Sequence, residues 1–139
     1  WRGEKGGIEA AELNHDVIMT PSSYVYFDHS QRKHEDSLVI GGYHSLVQVY
    51  GYDPIPAALS ADKHHYILGG QANLWTEYIP NTSKVEYMLF PRMAALSEVL
   101  WSPKQNKNWD NFKQRVLKQF KRYDLWKVSY YPGLDEPVK

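Results

Sequence analysis

Apolar positions in this chain fall into short blocks, and their spacing changes from one block to the next. Ile8-Glu9-Ala10-Ala11-Glu12-Leu13 is made of good helix formers and predicts a short helix. Asp16-Val17-Ile18-Met19-Thr20 is a continuous, β-branched apolar run, as expected of a buried strand in a parallel sheet. Pro21-Ser22-Ser23 breaks it, and a loop then carries Tyr24, Tyr26, Phe27 and Asp28. Residues 29–37 are polar and charged and predict an exposed excursion. Between Gly41 and Tyr52, the spacing of Tyr43, Leu46, Val47 and Tyr50 is that of a short helix face, closed by Asp53-Pro54-Ile55-Pro56. A turn of helix follows in Ala57 to His65, then the strand Tyr66-Ile67-Leu68.

The best helical signal in the sequence starts at Ser83. Ser83 and Glu86 have capping-box spacing, and Val85, Met88, Leu89, Met93, Leu96 and Val99 form an apolar stripe that Pro91 interrupts. Asn108 is a candidate N-cap for a last helix, with Trp109, Phe112, Val116, Leu117, Phe120 and Tyr123 on its buried face. Trp101, Trp109 and Trp126 read as helix packing. Strands alternating with helices argue for an α/β fold with parallel strands and helices packed outside them. In such folds ligands meet the loops at the carboxyl ends of the strands.

That rule singles out Gly69-Gly70-Gln71-Ala72-Asn73-Leu74-Trp75-Thr76-Glu77-Tyr78, where a strand runs out before a helix. In extended chain, residues two apart point to one side, so Trp75 and Glu77 face one space. An indole that stacks on a sugar ring and a carboxylate that accepts from a hydroxyl suit a carbohydrate. A core Trp beside a surface Glu gives the same spacing, and spacing alone leaves the two readings even. The convergence of Trp1, the Tyr26–Asp28 loop and Trp75–Glu77 at strand ends favours the sugar pocket.

Composition narrows the picture from other sides. The 139 residues amount to one domain, which is short for a large barrel. Lys plus Arg and Asp plus Glu each number 16, so no net charge draws the chain to nucleic acid or an anionic membrane. Lys113, Arg115, Lys118, Lys121 and Arg122 read as the solvated side of the last helix. Five Trp and eleven Tyr suit a core with polar handles or a stacking pocket. The absence of Cys excludes disulfides and thiolate metal sites. His15, His64 and His65 have no ligand partners at useful spacing, so no metal or other cofactor is expected. No apolar run approaches the ~20 residues of a membrane helix. The start at Trp1-Arg2-Gly3-Glu4 lacks Met and reads as a cut from something longer.

Four stretches stand in order along the chain: Trp1-Arg2-Gly3, Met19-Thr20-Pro21-Ser22-Ser23-Tyr24-Val25-Tyr26-Phe27-Asp28, Gly69 to Glu77, and Pro91-Arg92-Met93-Ala94-Ala95-Leu96-Ser97-Glu98-Val99-Leu100-Trp101. Together they resemble the β-N-acetylhexosaminidases of glycoside hydrolase family 20. The resemblance implies a TIM (β/α)8 barrel of which this chain is the C-terminal third, strands six to eight, ending in two long helices. Trp1 would end the sixth strand, Asp16–Thr20 would be the seventh, and Tyr66–Leu74 would contain the eighth. Residues 1–127 would be barrel and 128–139 an irregular tail.

It further implies hydrolysis of terminal β-linked N-acetylglucosamine or N-acetylgalactosamine, with the substrate's acetamido oxygen as nucleophile. The Asp-Glu pair that does the proton work would lie upstream, so the isolated chain would be inactive. Tyr26 would bond the acetamido oxygen, Asp28 and Glu77 would accept from the O6 and O4 hydroxyls, and Trp75 and Trp1 would wall the slot. The implied partners are an amino-sugar glycan and the missing N-terminal part of the barrel. The parent would be exported, to the periplasm or outside the cell. A three-strand remnant leaves two sheet edges open, so self-association is the alternative way to cover them. A carbohydrate-binding module, or a structural fragment with its pocket residues idle, would carry the same residues without chemistry.

Overall fold

A computed structural model describes residues 1–34 and 38–134. Its first half runs α1 (Lys5–Glu12), β1 (Val17–Met19), α2 (Ser22–Val25), β2 (His29–Ser30), β3 (Ile40–Tyr43) and α3 (Leu46–Gly51). A 3-10 turn at Ala61–Tyr66 leads into β4 (Ile67–Gly70), followed by α4 (Thr82–Leu89), α5 (Arg92–Trp101) and α6 (Trp109–Trp126). The result is mixed α/β.

The strand pair β1–β4 is parallel, with Val17 opposite Ile67 and Met19 opposite Gly70. Alternation along each strand sends Met19 into the core, while Ile18 (57% exposed) and Leu68 (63% exposed) stand on the opposite, open face. A third strand at Trp1 does not form; its backbone is tied to the sheet end by Ser22 N–H donating to the Trp1 carbonyl at 3.2 Å. The core lies on the helical side of β1 and β4. There Met19, Val25 and Phe27 meet Leu46 and Val49 of α3, Leu96 and Val99 of α5, and Phe112 and Val116 of α6.

Glu98 ties three of these helices together. Its carboxylate accepts from the Tyr50 hydroxyl of α3 at 2.8 Å and from Arg115 of α6 at 2.5 Å. The same Tyr50 hydroxyl accepts from the Asn108 N–H at 2.9 Å, where α6 begins. Asn108 caps α6 as its sequence suggests, accepting from the Asn111 N–H at 2.9 Å.

Several expectations change. The capping box at Ser83 is not used: Asn81 caps α4 through Lys84 N–H, and Glu86 instead accepts from Ser129 N–H at 2.9 Å. The predicted helix between Gly41 and Tyr52 is divided, because Gly42 (φ 112) sits in strand β3, and only Leu46–Gly51 is helical. The exposed excursion fails at its start, where β2 pairs with β3 and both Ser30 and Gln31 are buried; residues 35–37 lie outside the described residues. Leu117 is 43% exposed, off the buried face of α6. Trp109 packs against Tyr50 and Phe112, but Trp101 (89% exposed) and Trp126 (60% exposed) do not pack into the core. Residues 128–134 carry no helix or strand, yet Val128, Tyr130 and Leu134 dock on the core and Tyr131 N–H reaches the Phe90 carbonyl at 3.0 Å. The rest of the predicted tail lies outside the described residues.

Candidate active site

The site residues predicted from the sequence sit where β1 and β4 end. Past Met19 the chain turns through α2 and emerges extended at Tyr26. Past Gly70 it runs extended beside that segment. Gln71 N–H bonds the Met19 carbonyl at 3.0 Å, Asn73 N–H bonds the Val25 carbonyl at 2.9 Å, and Phe27 N–H bonds the Asn73 carbonyl at 2.7 Å. This parallel bridge between Tyr26 and Asn73 holds the two loops side by side. Two residues further along each lie Asp28 and Trp75, and Glu77 follows close enough for its charge to act on Asp28.

The five residues differ in how they are held. Asp28 is 5% exposed, Tyr26 is half-buried, Glu77 is exposed, and Trp75 is 54% exposed. Trp1 is 67% exposed and lines a separate recess of about 540 Å³ with Gly6, Gly7 and Val17 to Thr20. The bridge therefore brings the Tyr26–Asp28 and Asn73–Glu77 segments side by side, and the Ser22 hydrogen bond ties the Trp1 backbone to the start of α2.

Asp28 has the most telling electrostatics. Burial pushes its carboxyl above the usual carboxylate range, opposed by its own backbone N–H and by His29, with Glu77 pushing further up and Arg92 pulling down. Its Oδ1 is buried and accepts no hydrogen bond among the described residues. An acidic oxygen in that condition is costly unless something donates to it.

Sequence reasoning did not single out the groups beneath these loops. Arg92 is fully buried, and its guanidinium donates to the carbonyls of Phe27 at 2.6 Å, His29 at 2.9 Å and His44 at 3.2 Å. It also reaches the Met88 carbonyl at 2.6 Å, an acceptor left over where Pro91 separates α4 from α5. The signal was an arginine inside the apolar run Leu89 to Leu96. The ring of His44, 5% exposed, bonds the Tyr26 carbonyl through Nδ1 at 3.0 Å and stacks on His29 with centroids 4.5 Å apart. Gln31, also fully buried, donates to the carbonyls of Tyr87 and Phe90.

Burial lowers the His44 imidazole to about 4, so at neutral pH it is uncharged and Nδ1–H is the donor to Tyr26. Burial also lowers His29. Unfolded histidines take up protons near 6.5, before the native ones do, so stability falls as pH drops from 6.5 toward about 4. Each pH unit in that window removes up to about 1.4 kcal/mol for His44. Asp28 works the other way, because its raised carboxyl protonates in the native state first and gains stability as pH falls. Denaturant unfolding of the chain at pH 7 and pH 4.5 should therefore show a loss that shrinks in His44→Gln. An equal loss in both proteins would remove His44 as its source.

Residues 1–104 match the model of glycosyl hydrolase family 20, catalytic domain. A beta-hexosaminidase of Porphyromonas gingivalis is 46% identical over 138 residues, which are 98% of this chain and 18% of that protein. The Streptomyces plicatus N-acetyl-beta-hexosaminidase in complex with Thio-NAglucal superposes with a TM-score of 0.84 at 27% identity, covering 98% of this chain and 27% of that one. A Vibrio harveyi exo beta-N-acetylglucosaminidase in complex with N-acetylglucosamine gives a TM-score of 0.83 at 31% identity, covering 94% and 21%. The chain thus spans less than a third of each of these relatives. With the family model matched through residue 104 and an identity of 46% along nearly its whole length, the chain belongs to glycosyl hydrolase family 20 and is part of the family's catalytic domain.

Proposed function

We propose that this chain is the C-terminal third of the (β/α)8 barrel of a β-N-acetylhexosaminidase and builds one side of its sugar subsite. The observation that carries the reading is Oδ1 of Asp28, buried and without a donor among the described residues past the carboxyl ends of two parallel strands, with Glu77 close enough for its charge to act on it and the Tyr26 segment paired to Asn73, two residues before Trp75. A sugar hydroxyl is the donor such an oxygen needs. Asp28 and Glu77 accept from O6 and O4, and the Trp75 indole covers the apolar ring face. The Tyr26 hydroxyl donates to the acetamido oxygen and holds it in line with the anomeric carbon. That oxygen attacks, the glycosidic bond breaks, and the leaving oxygen takes its proton from a carboxylic acid outside this chain.

The open face supports the same assignment. Ile18 and Leu68 are apolar and exposed, and the free edge of β4 borders a recess of about 530 Å³ walled by Leu74, Leu100 and Trp101. Missing barrel strands would cover all of these. Self-association through the same edges is the competing way to bury them, and sedimentation distinguishes the two, since a concentration-independent monomer rules it out.

Two activity measurements test the reading with an aryl β-N-acetylglucosaminide. The full-length protein releases the aryl group, and Asp28→Asn lowers kcat/KM by roughly 10–100-fold, the weight of a charge-assisted hydrogen bond. The isolated chain releases none. Turnover by the isolated chain would refute an upstream acid/base, and an Asp28→Asn enzyme with wild-type kcat/KM would refute the subsite.

A further inference from the structure

The carbonyls of the Tyr26–His29 segment are taken up by side chains from distant parts of the chain. His44 Nδ1–H bonds the carbonyl of Tyr26 at 3.0 Å, and Arg92 bonds those of Phe27 at 2.6 Å and His29 at 2.9 Å. Arg92 also bonds the His44 carbonyl at 3.2 Å, so the two donors are themselves linked. On the other edge of the segment, Asn73 pairs with Val25 and Phe27. In extended chain Phe27 points opposite to Tyr26 and Asp28. Phe27 is fully buried with the Arg92 guanidinium 4.7 Å above its ring. By that alternation its two neighbours lie on the side away from Phe27.

We propose that Arg92 and His44 are positioning residues that fix the main chain of Tyr26–His29 and so hold the Tyr26 hydroxyl and the Asp28 carboxylate at their working positions. The inference rests on the sugar-subsite reading above. Neither side chain contacts substrate; both act through Tyr26 and Asp28. A planar guanidinium reaches the carbonyls of Phe27, His29, His44 and Met88 at fixed angles, which a lysine ammonium on a flexible stem does not reproduce. Gly42 belongs to the same arrangement, because a side chain there would collide with the ring of His29, on which His44 stacks.

The test is a double-mutant cycle in the full-length enzyme, with Arg92→Lys, Tyr26→Phe and the pair, each checked for native circular dichroism. Loss of alignment by about an ångström costs up to roughly 10²-fold, so Arg92→Lys should lower kcat by about 10–100-fold with KM changed far less. In the Tyr26→Phe background the same substitution should cost several-fold less, because the hydroxyl it positions is gone and only its hold on Asp28 remains. A purely structural role would instead give the same loss in both backgrounds, and that additivity overturns the proposal. If Arg92→Lys does not fold, His44→Phe replaces it in the cycle, keeping a ring against His29 while removing the donor to Tyr26. If neither variant folds, the two residues are structural and the proposal falls. A Tyr26→Phe enzyme with wild-type kcat overturns the role of Tyr26 and the clamp with it, whereas additive losses overturn the clamp alone.

Discussion

Tyr26→Phe in the full-length enzyme should lower kcat on an aryl β-N-acetylglucosaminide by about 10²–10³-fold, with KM little changed. The substitution removes one oxygen and leaves the ring, which keeps its place in the loop zipped to Asn73. On the proposed reading, what is lost is a donor aimed at the acetamido oxygen as that oxygen becomes the nucleophile. In the ground state, water or a neighbouring group can satisfy the same oxygen, so binding suffers little. During attack the oxygen must lie in line with the anomeric carbon, and a preset donor avoids the reorganisation that solvent would require. The loss therefore appears in kcat. A fall in kcat/KM carried wholly by KM would make Tyr26 a binding residue, and an unchanged rate would remove it from the site.

Arg92→Met should destabilise the fold by on the order of 3–5 kcal/mol, read from denaturant unfolding monitored by tryptophan fluorescence. Methionine matches the length and apolar character of the arginine stem, so the substitution leaves little cavity. The cost comes from carbonyls of Phe27, His29 and His44 that lose their donors in a buried place. Each buried acceptor left unpaired costs about 1–3 kcal/mol, and the three share one site, so the losses are not simply additive. The Met88 carbonyl at the end of α4 loses a partner as well. A loss under about 1 kcal/mol would mean that water replaces the guanidinium and that the loops do not depend on it.

The two substitutions probe one piece of architecture from opposite sides. In the proposed subsite Tyr26 and Asp28 present the chemistry, while Phe27 between them carries that segment's attachment to the core. The raised Asp28 carboxyl follows from the same arrangement: packing tight enough to fix the segment also strips water from the carboxylate, and Arg92 offsets part of that cost.

The sequence by itself determined the elements whose signals are local. The β-branched run at β1, the apolar stripe of α5, the Asn108 cap and the break at Pro91 each depend on residues within a turn or two of one another. The ordered motifs around Tyr26, Asp28, Trp75 and Glu77 likewise named the family, because residue types at fixed spacing survive in a single chain. The tertiary structure decided what depends on partners far along the chain. Ser83 has the spacing of a cap, but Asn81 caps α4 and Glu86 accepts from the distant Ser129 N–H. Gln31 sits in a polar stretch, and its burial required the carbonyls of Tyr87 and Phe90. Arg92 was one residue of a family motif, and its role came from the carbonyls of Phe27, His29 and His44 that converge on it. Local spacing fixes which way a side chain points, but a buried polar group is placed by whatever can satisfy its hydrogen bonds, and those partners lie 48 to 65 residues away.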